Sequence, residues 1–99
     1  MSNQLIFLPE AREDIFDAYT WYEEQSLGLG LDFLRCVESL SCTIARNPLM
    51  HPSVYKGYRR ALVRRFPYAV FYEVSDEKII VYSVFHCSQD PAKWRDRLV

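Results

Sequence analysis

The apolar residues of this chain change their spacing near its midpoint. Before Asn47-Pro48 they recur every three or four positions; beyond Gly57 they crowd into short runs rich in Val, Ile, Tyr and Phe. The first spacing puts side chains on one stripe of a helix, and the second composition suits pleated strands. A run of helices followed by a run of strands indicates an α+β fold. The 99 residues allow one hydrophobic core, so the chain reads as a single domain spanning 1–99.

The pattern places each element. "QLIFL" (4–8) is a short apolar run that suits a buried strand. Pro9 follows where proline can start a helix, and Glu10, Glu13 and Asp14 sit in its first turns, where carboxylates favour the helix dipole. Ala11, Ile15, Ala18, Tyr19 and Tyr22 then predict a helix over 10–25 with an acidic outer face. "SLGLG" (26–30) breaks the period, and Phe33, Leu34, Val37, Leu40, Ser41 and Ile44 predict a second helix over 30–46. The short connection implies an antiparallel helical hairpin.

Residues 47–57 hold two prolines and a glycine and read as a loop. Strands are predicted over 58–66, 68–75 and 78–86, the last two joined by a tight hairpin at "SDEK". The expected order is β-α-α-β-β-β with a short C-terminal helix or turn. The hairpin should pack on one face of an antiparallel sheet.

Composition excludes several classes. Half the residues are apolar and fifteen are aromatic, which a disordered chain would not carry. No run approaches the roughly 18 apolar residues of a membrane helix, and the first residues have no basic start, so neither a membrane span nor a signal peptide is expected. Cys36, Cys42 and Cys87 show no C-x-x-C spacing, which suits reduced thiols in the cytoplasm. With two histidines and scattered acids, no metal site and no cofactor are expected. The net charge of −1 hides a division: residues 1–50 carry three basic and eight acidic side chains, residues 51–99 nine basic and five acidic. Such polarity speaks to partners.

The chemistry-bearing stretch is "KGYRRALVRR" (56–65), with Lys56, Arg59, Arg60, Arg64 and Arg65 and no acid. Arginine forks suit phosphate, carboxylate or a nucleic-acid backbone. Tyr55, Tyr58, Tyr68, Tyr72 and Tyr82 could stack on bases. The same pattern also fits an edge strand guarded by charge, or arginines paired with helix acids. Alternation puts Arg60 and Arg64 on one face and Arg59 and Arg65 on the other, without saying which is buried.

His86 closes the last predicted strand in "VFHCSQDPAKWRDR" (84–97), where simple alternation gives it one face with Tyr82 and Val84. It can serve as a general acid or base near neutral pH, or as the structural end of the strand, which is the reading adopted. Asp90 reads as a turn former before Pro91 or an N-cap, and Trp94 as the anchor of the C-terminal piece.

Taken together, "YTWYEEQSLGLGLDFL", "ARNPLMHP" and "RRALVRRFPYAVFYEV…KIIVYSVFHCSQDPAKWRDR" resemble the ParE-like branch of the RelE/ParE toxin superfamily along nearly the whole chain. Phe66-Pro67-Tyr68, His86 and Asp90-Pro91 with Trp94, in this order, carry the resemblance. It implies the toxin half of a bacterial type II toxin–antitoxin pair, of the plasmid-stabilisation type, neutralised by a cognate antitoxin. ParE-like members are inhibitors of DNA gyrase, whereas RelE-like members cut mRNA in the ribosome. By position, His86, Tyr82 and an arginine such as Arg65 would stand where nuclease residues stand. Gln89 replaces the arginine that many relatives carry before the Asp-Pro, which weakens a phosphate-binding role for that loop. The resemblance leaves three readings: a gyrase-type poison, a ribosome-dependent nuclease, and a binding relative without toxicity.

Overall fold

A computed structural model describes residues 4–89 and 91–98, the side chains of Trp94 and Arg97 excepted. The elements are β1 (Gln4–Phe7), α1 (Pro9–Gln25), α2 (Leu29–Arg46), β2 (Ser53–Tyr55), β3 (Tyr58–Leu62), β4 (Tyr68–Ser75), β5 (Lys78–His86) and α3 (Pro91–Leu98). They form one five-stranded sheet in the order β1-β5-β4-β3-β2. The α+β hairpin-on-sheet architecture read from the sequence is the one observed.

Three details differ. β1 joins β5 in parallel, so the sheet is mixed; the α1–α2 hairpin between β1 and the later strands provides the crossover that parallel pairing needs. β2 lies inside the stretch read as loop 47–57 and pairs with β3 through a two-residue turn, in which Lys56 (φ 47°) and Gly57 (φ 86°) take the left-handed conformation such turns require. β3 ends at Leu62 and not at residue 66. Beyond it the chain bends, with Arg65 at φ 74° and the Val63 N–H donating to the Tyr68 carbonyl.

The hairpin is closed by a carboxylate. Glu23, on α1, accepts hydrogen bonds from the Gly28 and Gly30 N–H groups, meeting donors that the first turn of α2 leaves unpaired. Glu23 therefore serves the hairpin turn. Gly28 supplies the left-handed turn at φ 90°. Gly30 lets the helices approach: a Cβ there would lie 2.7 Å from the Tyr19 carbonyl oxygen.

The hairpin covers one face of the sheet, over a core that includes Ala11, Ala18, Phe33, Val37, Ile44, Ala61, Val70, Tyr72, Ile79, Val81 and Val84. Tyr22, Phe33, Phe66 and Tyr68 form an aromatic knot with ring centroids 4.9–6.0 Å apart. Phe66 of the resemblance motif is thus a core residue, and Tyr68 packs half-buried against it. On the opposite face, α3 buries Leu98 against Ala69 and Phe71, with Tyr55, Tyr58, Tyr82 and Phe85 around them.

Candidate functional site

The site residues named from sequence lie on a sheet whose alternation is broken within β5. In the β4–β5 ladder Phe71 faces Ser83 but Tyr72 faces Val81, so one extra residue of β5 is accommodated there. Such a bulge reverses the faces on either side of it. Ile79 and Val81 before it, and Val84 after it, all join the core under the hairpin, while Tyr82 and Phe85 pack on the α3 face. His86 stands opposite Tyr68, ring centroids 5.1 Å apart, on the hairpin side. The expectation that Tyr82 and His86 share a face is overturned, because simple alternation cannot see a bulge set by the partner strand.

On the outer face, Tyr82 stacks edge-on against Tyr58 at 5.0 Å and its hydroxyl donates to Glu73 Oε1 at 3.2 Å. Burial first, then the Glu73 carboxylate and Tyr58, push the Tyr82 phenol up to about 12. A phenol held protonated that firmly is a poor general base near neutral pH, and the neighbouring carboxylate repels a phosphate.

His86 is held inside its own turn. Its Nδ1 lies 3.0 Å from the Ser88 N–H, which donates to it, and 2.7 Å from Ser88 Oγ. Its own N–H donates to Gln89 Oε1 at 2.9 Å. The strand leading to it is pinned by Asp14 of α1, whose Oδ2 accepts the Val84 N–H at 3.0 Å. Asp90 and the side chain of Trp94, expected to shape this turn, lie outside the described residues.

The arginines do not converge. Arg59 points under the hairpin side, where its Nη1 donates to the carbonyls of His51 and Leu49 and so fastens loop 47–52. Tyr72 fastens the same loop from below, its hydroxyl 2.6 Å from the Pro48 carbonyl oxygen. Arg60 stands on the outer face, in line with Phe71. Arg65 lies 4.0 Å from Asp32 of α2, and Lys56 sits over the Tyr55 ring. On the outer face Arg60 and the end of β5 at His86 border a hollow of about 40 Å³, well below the roughly 300–1,000 Å³ of ligand clefts.

Arg64 belongs to a larger feature that sequence reasoning missed. A groove of about 370 Å³ between α2 and the end of β3 is lined by Arg35, Cys36, Ser39, Leu40, Thr43, Leu62 and Arg64. Leu62 is 58% exposed there, and the strand edge beside it is open. The Val63 N–H bonds to β4 and the Arg60 N–H to Pro52, so by alternation the Leu62 N–H points away from β4 past the end of β2. The groove thus offers an apolar floor, a strand edge and two guanidinium groups. Arg35 carried no sequence signal and Leu40 read only as part of the helix period, which marks which residues face inward but not which border a groove.

Among the described residues no three His, Cys, Asp or Glu side chains converge to hold a metal, and no helix is long and apolar enough to cross a membrane.

The chain belongs to the family of ParE toxins of type II toxin–antitoxin systems, whose family model matches residues 5–91. No curated protein matches it in sequence. Among solved structures it is similar to a chain of the chromosomal ParDE system of P. aeruginosa, with a TM-score of 0.76 and 16% identity over 85% of this chain and 95% of that one. It is also similar to a chain of the RelBE2 complex of Mycobacterium tuberculosis, with a TM-score of 0.62 and 22% identity over 87% and 99% of the two chains. A free E. coli RelE mutant superimposes with a TM-score of 0.68 and 16% identity over 99% of this chain and 96% of that one.

Proposed function

We propose that this toxin arrests growth by binding a macromolecular target of the gyrase type, and that a cognate antitoxin neutralises it by laying an apolar, acidic segment into the α2–β3 groove. The observation that carries the first half is the β5 bulge. It separates Tyr82 from His86, with Tyr82 locked onto Glu73 and His86 onto Ser88, so among the described residues no proton-transfer group stands beside paired arginines as phosphodiester cleavage would need. The second half is supported by the groove itself. Arg35 and Arg64 flank an apolar floor and an open strand edge, which suits an extended segment bearing carboxylates. ParDE and RelBE2 neighbours support a protein partner of that kind. Target binding then rests on surface and not on catalysis, and the cytoplasm is where such a target resides.

The test is induced expression with and without a co-expressed cognate antitoxin, followed by a supercoiling assay with purified gyrase. Growth arrest relieved by the antitoxin, together with inhibited supercoiling, is expected. Normal growth on induction, or unaffected supercoiling by a folded protein, would contradict the proposal.

A further inference from the structure

Loop 47–52 is held more firmly than a surface connection ordinarily is. The Asn47 N–H donates to the Thr43 carbonyl at 3.0 Å, and the Met50 N–H donates to the Asn47 carbonyl at 3.1 Å, closing a four-residue turn. Arg59 donates to the Leu49 and His51 carbonyls, and the Tyr72 hydroxyl to the Pro48 carbonyl. The Arg60 N–H takes the Pro52 carbonyl, and the His51 ring stands edge-on to Tyr72. Two strands of the sheet thus clamp one short loop from end to end.

What the clamped turn displays is apolar. Leu49 is 66% exposed and Met50 60%, next to each other in the chain, and neither side chain joins the core. Burial therefore does not account for the two residues. A rigid apolar pair does suit binding, because a partner that covers it has little loop entropy to remove. Methionine in particular adapts its shape to a pocket.

We propose that Leu49 and Met50 insert into an apolar, acid-rimmed pocket on the target of this toxin. This rests on the reading that the toxin acts by binding and that the antitoxin lies in the α2–β3 groove. A segment in the groove shields a target contact that adjoins it. Thr43 lines the groove near the end of α2, and its carbonyl holds Asn47, so the loop begins where the groove ends. Phe16 and Trp21 are also exposed, but they belong to α1, which does not line the groove. Charge sets the chemistry of the rim. Residues 39–72 hold Arg46, Lys56, Arg59, Arg60, Arg64 and Arg65 and not one Asp or Glu, and the loop lies inside this stretch. Arg46 in the last turn of α2 and Arg59 beneath the loop favour carboxylates around the pocket that receives it.

Leu49→Ser combined with Met50→Ser is the test. Both side chains are exposed, so the circular dichroism spectrum and melting temperature should stay as in the wild type. Induced to the same soluble level, the double variant should no longer arrest growth. Inhibition of supercoiling by purified gyrase should require roughly tenfold more of it, the loss expected when anchor residues are removed. Phe16→Ser, which removes an exposed apolar side chain from α1, should arrest growth as the wild type does. Affinity of the double variant for the cognate antitoxin, measured by titration calorimetry, should be unchanged. A folded double variant that arrests growth like the wild type would overturn the proposal and leave the reading of a binding toxin standing. Antitoxin affinity lost together with toxicity would also overturn it, by assigning the loop to the antitoxin. A wild type that does not arrest growth would remove the underlying reading, and the proposal with it.

Discussion

Asp14 and His51 show how single side chains set the site without touching a ligand. The Asp14 carboxylate accepts the Val84 N–H where β5 leaves its bulge, and this directs His86 toward the hairpin. Asp14→Ala should lower stability by about 1–3 kcal/mol in urea unfolding, the cost of stranding a half-buried donor. His51 works in the loop before β2, on the same side of the sheet. Its Nε2 is buried without a partner, its ring stands edge-on to Tyr72, and Arg59 grips its carbonyl. Burial, then the Arg59 charge, hold the imidazole below its ordinary 6.5. The unfolded chain therefore binds the proton more readily, and stability should fall as pH drops below about 6.5. Thermal unfolding of His51→Asn from pH 7.5 to 5 should show a shallower fall than the wild type; an identical slope would assign the effect elsewhere. Neither role was legible in the sequence. The bulge depends on how β4 lies against β5, and the environment of His51 comes from Arg59 and Tyr72, both distant along the chain.

Elements were far easier to read where their own residues sufficed. Both helices follow from apolar spacing, Pro9 and the glycine turn, and their observed bounds differ from expectation by a single residue at the N-termini. β2 was hidden because three residues between prolines and a Lys-Gly turn carry no strand pattern. Its neighbouring loop is held from outside by Arg59 and Tyr72. The hairpin turn gives the sharpest test at this scale. Alanine favours an isolated helix over glycine by about 1 kcal/mol, yet at position 30 its Cβ would lie 2.7 Å from the Tyr19 carbonyl oxygen and 2.9 Å from Glu23 Oε1. Gly30→Ala should therefore destabilise by about 1–3 kcal/mol through forced separation of the helices. A gain in melting temperature would mean that the close approach of α1 and α2 can relax freely.

At the scale of the whole molecule, the resemblance to ParE-like toxins was legible from motif order, and family membership agrees with it. The working surface was not, since a groove is made by elements that meet only in three dimensions. The acidic first half and basic second half remain the best sequence guide to partners. Arg35→Glu with Arg64→Glu should weaken antitoxin binding at least tenfold at low salt, with the difference shrinking as salt rises. Unchanged affinity in a titration calorimeter would remove the groove from the interface. The central claim, that this toxin binds and does not cut, is tested most directly by mapping mRNA ends in a ribosome-programmed translation reaction. With the purified wild-type protein the account predicts intact message, unaltered by His86→Gln or Tyr82→Phe. Codon-aligned cleavage by the wild type, lost in either variant while its fold persists, would contradict it.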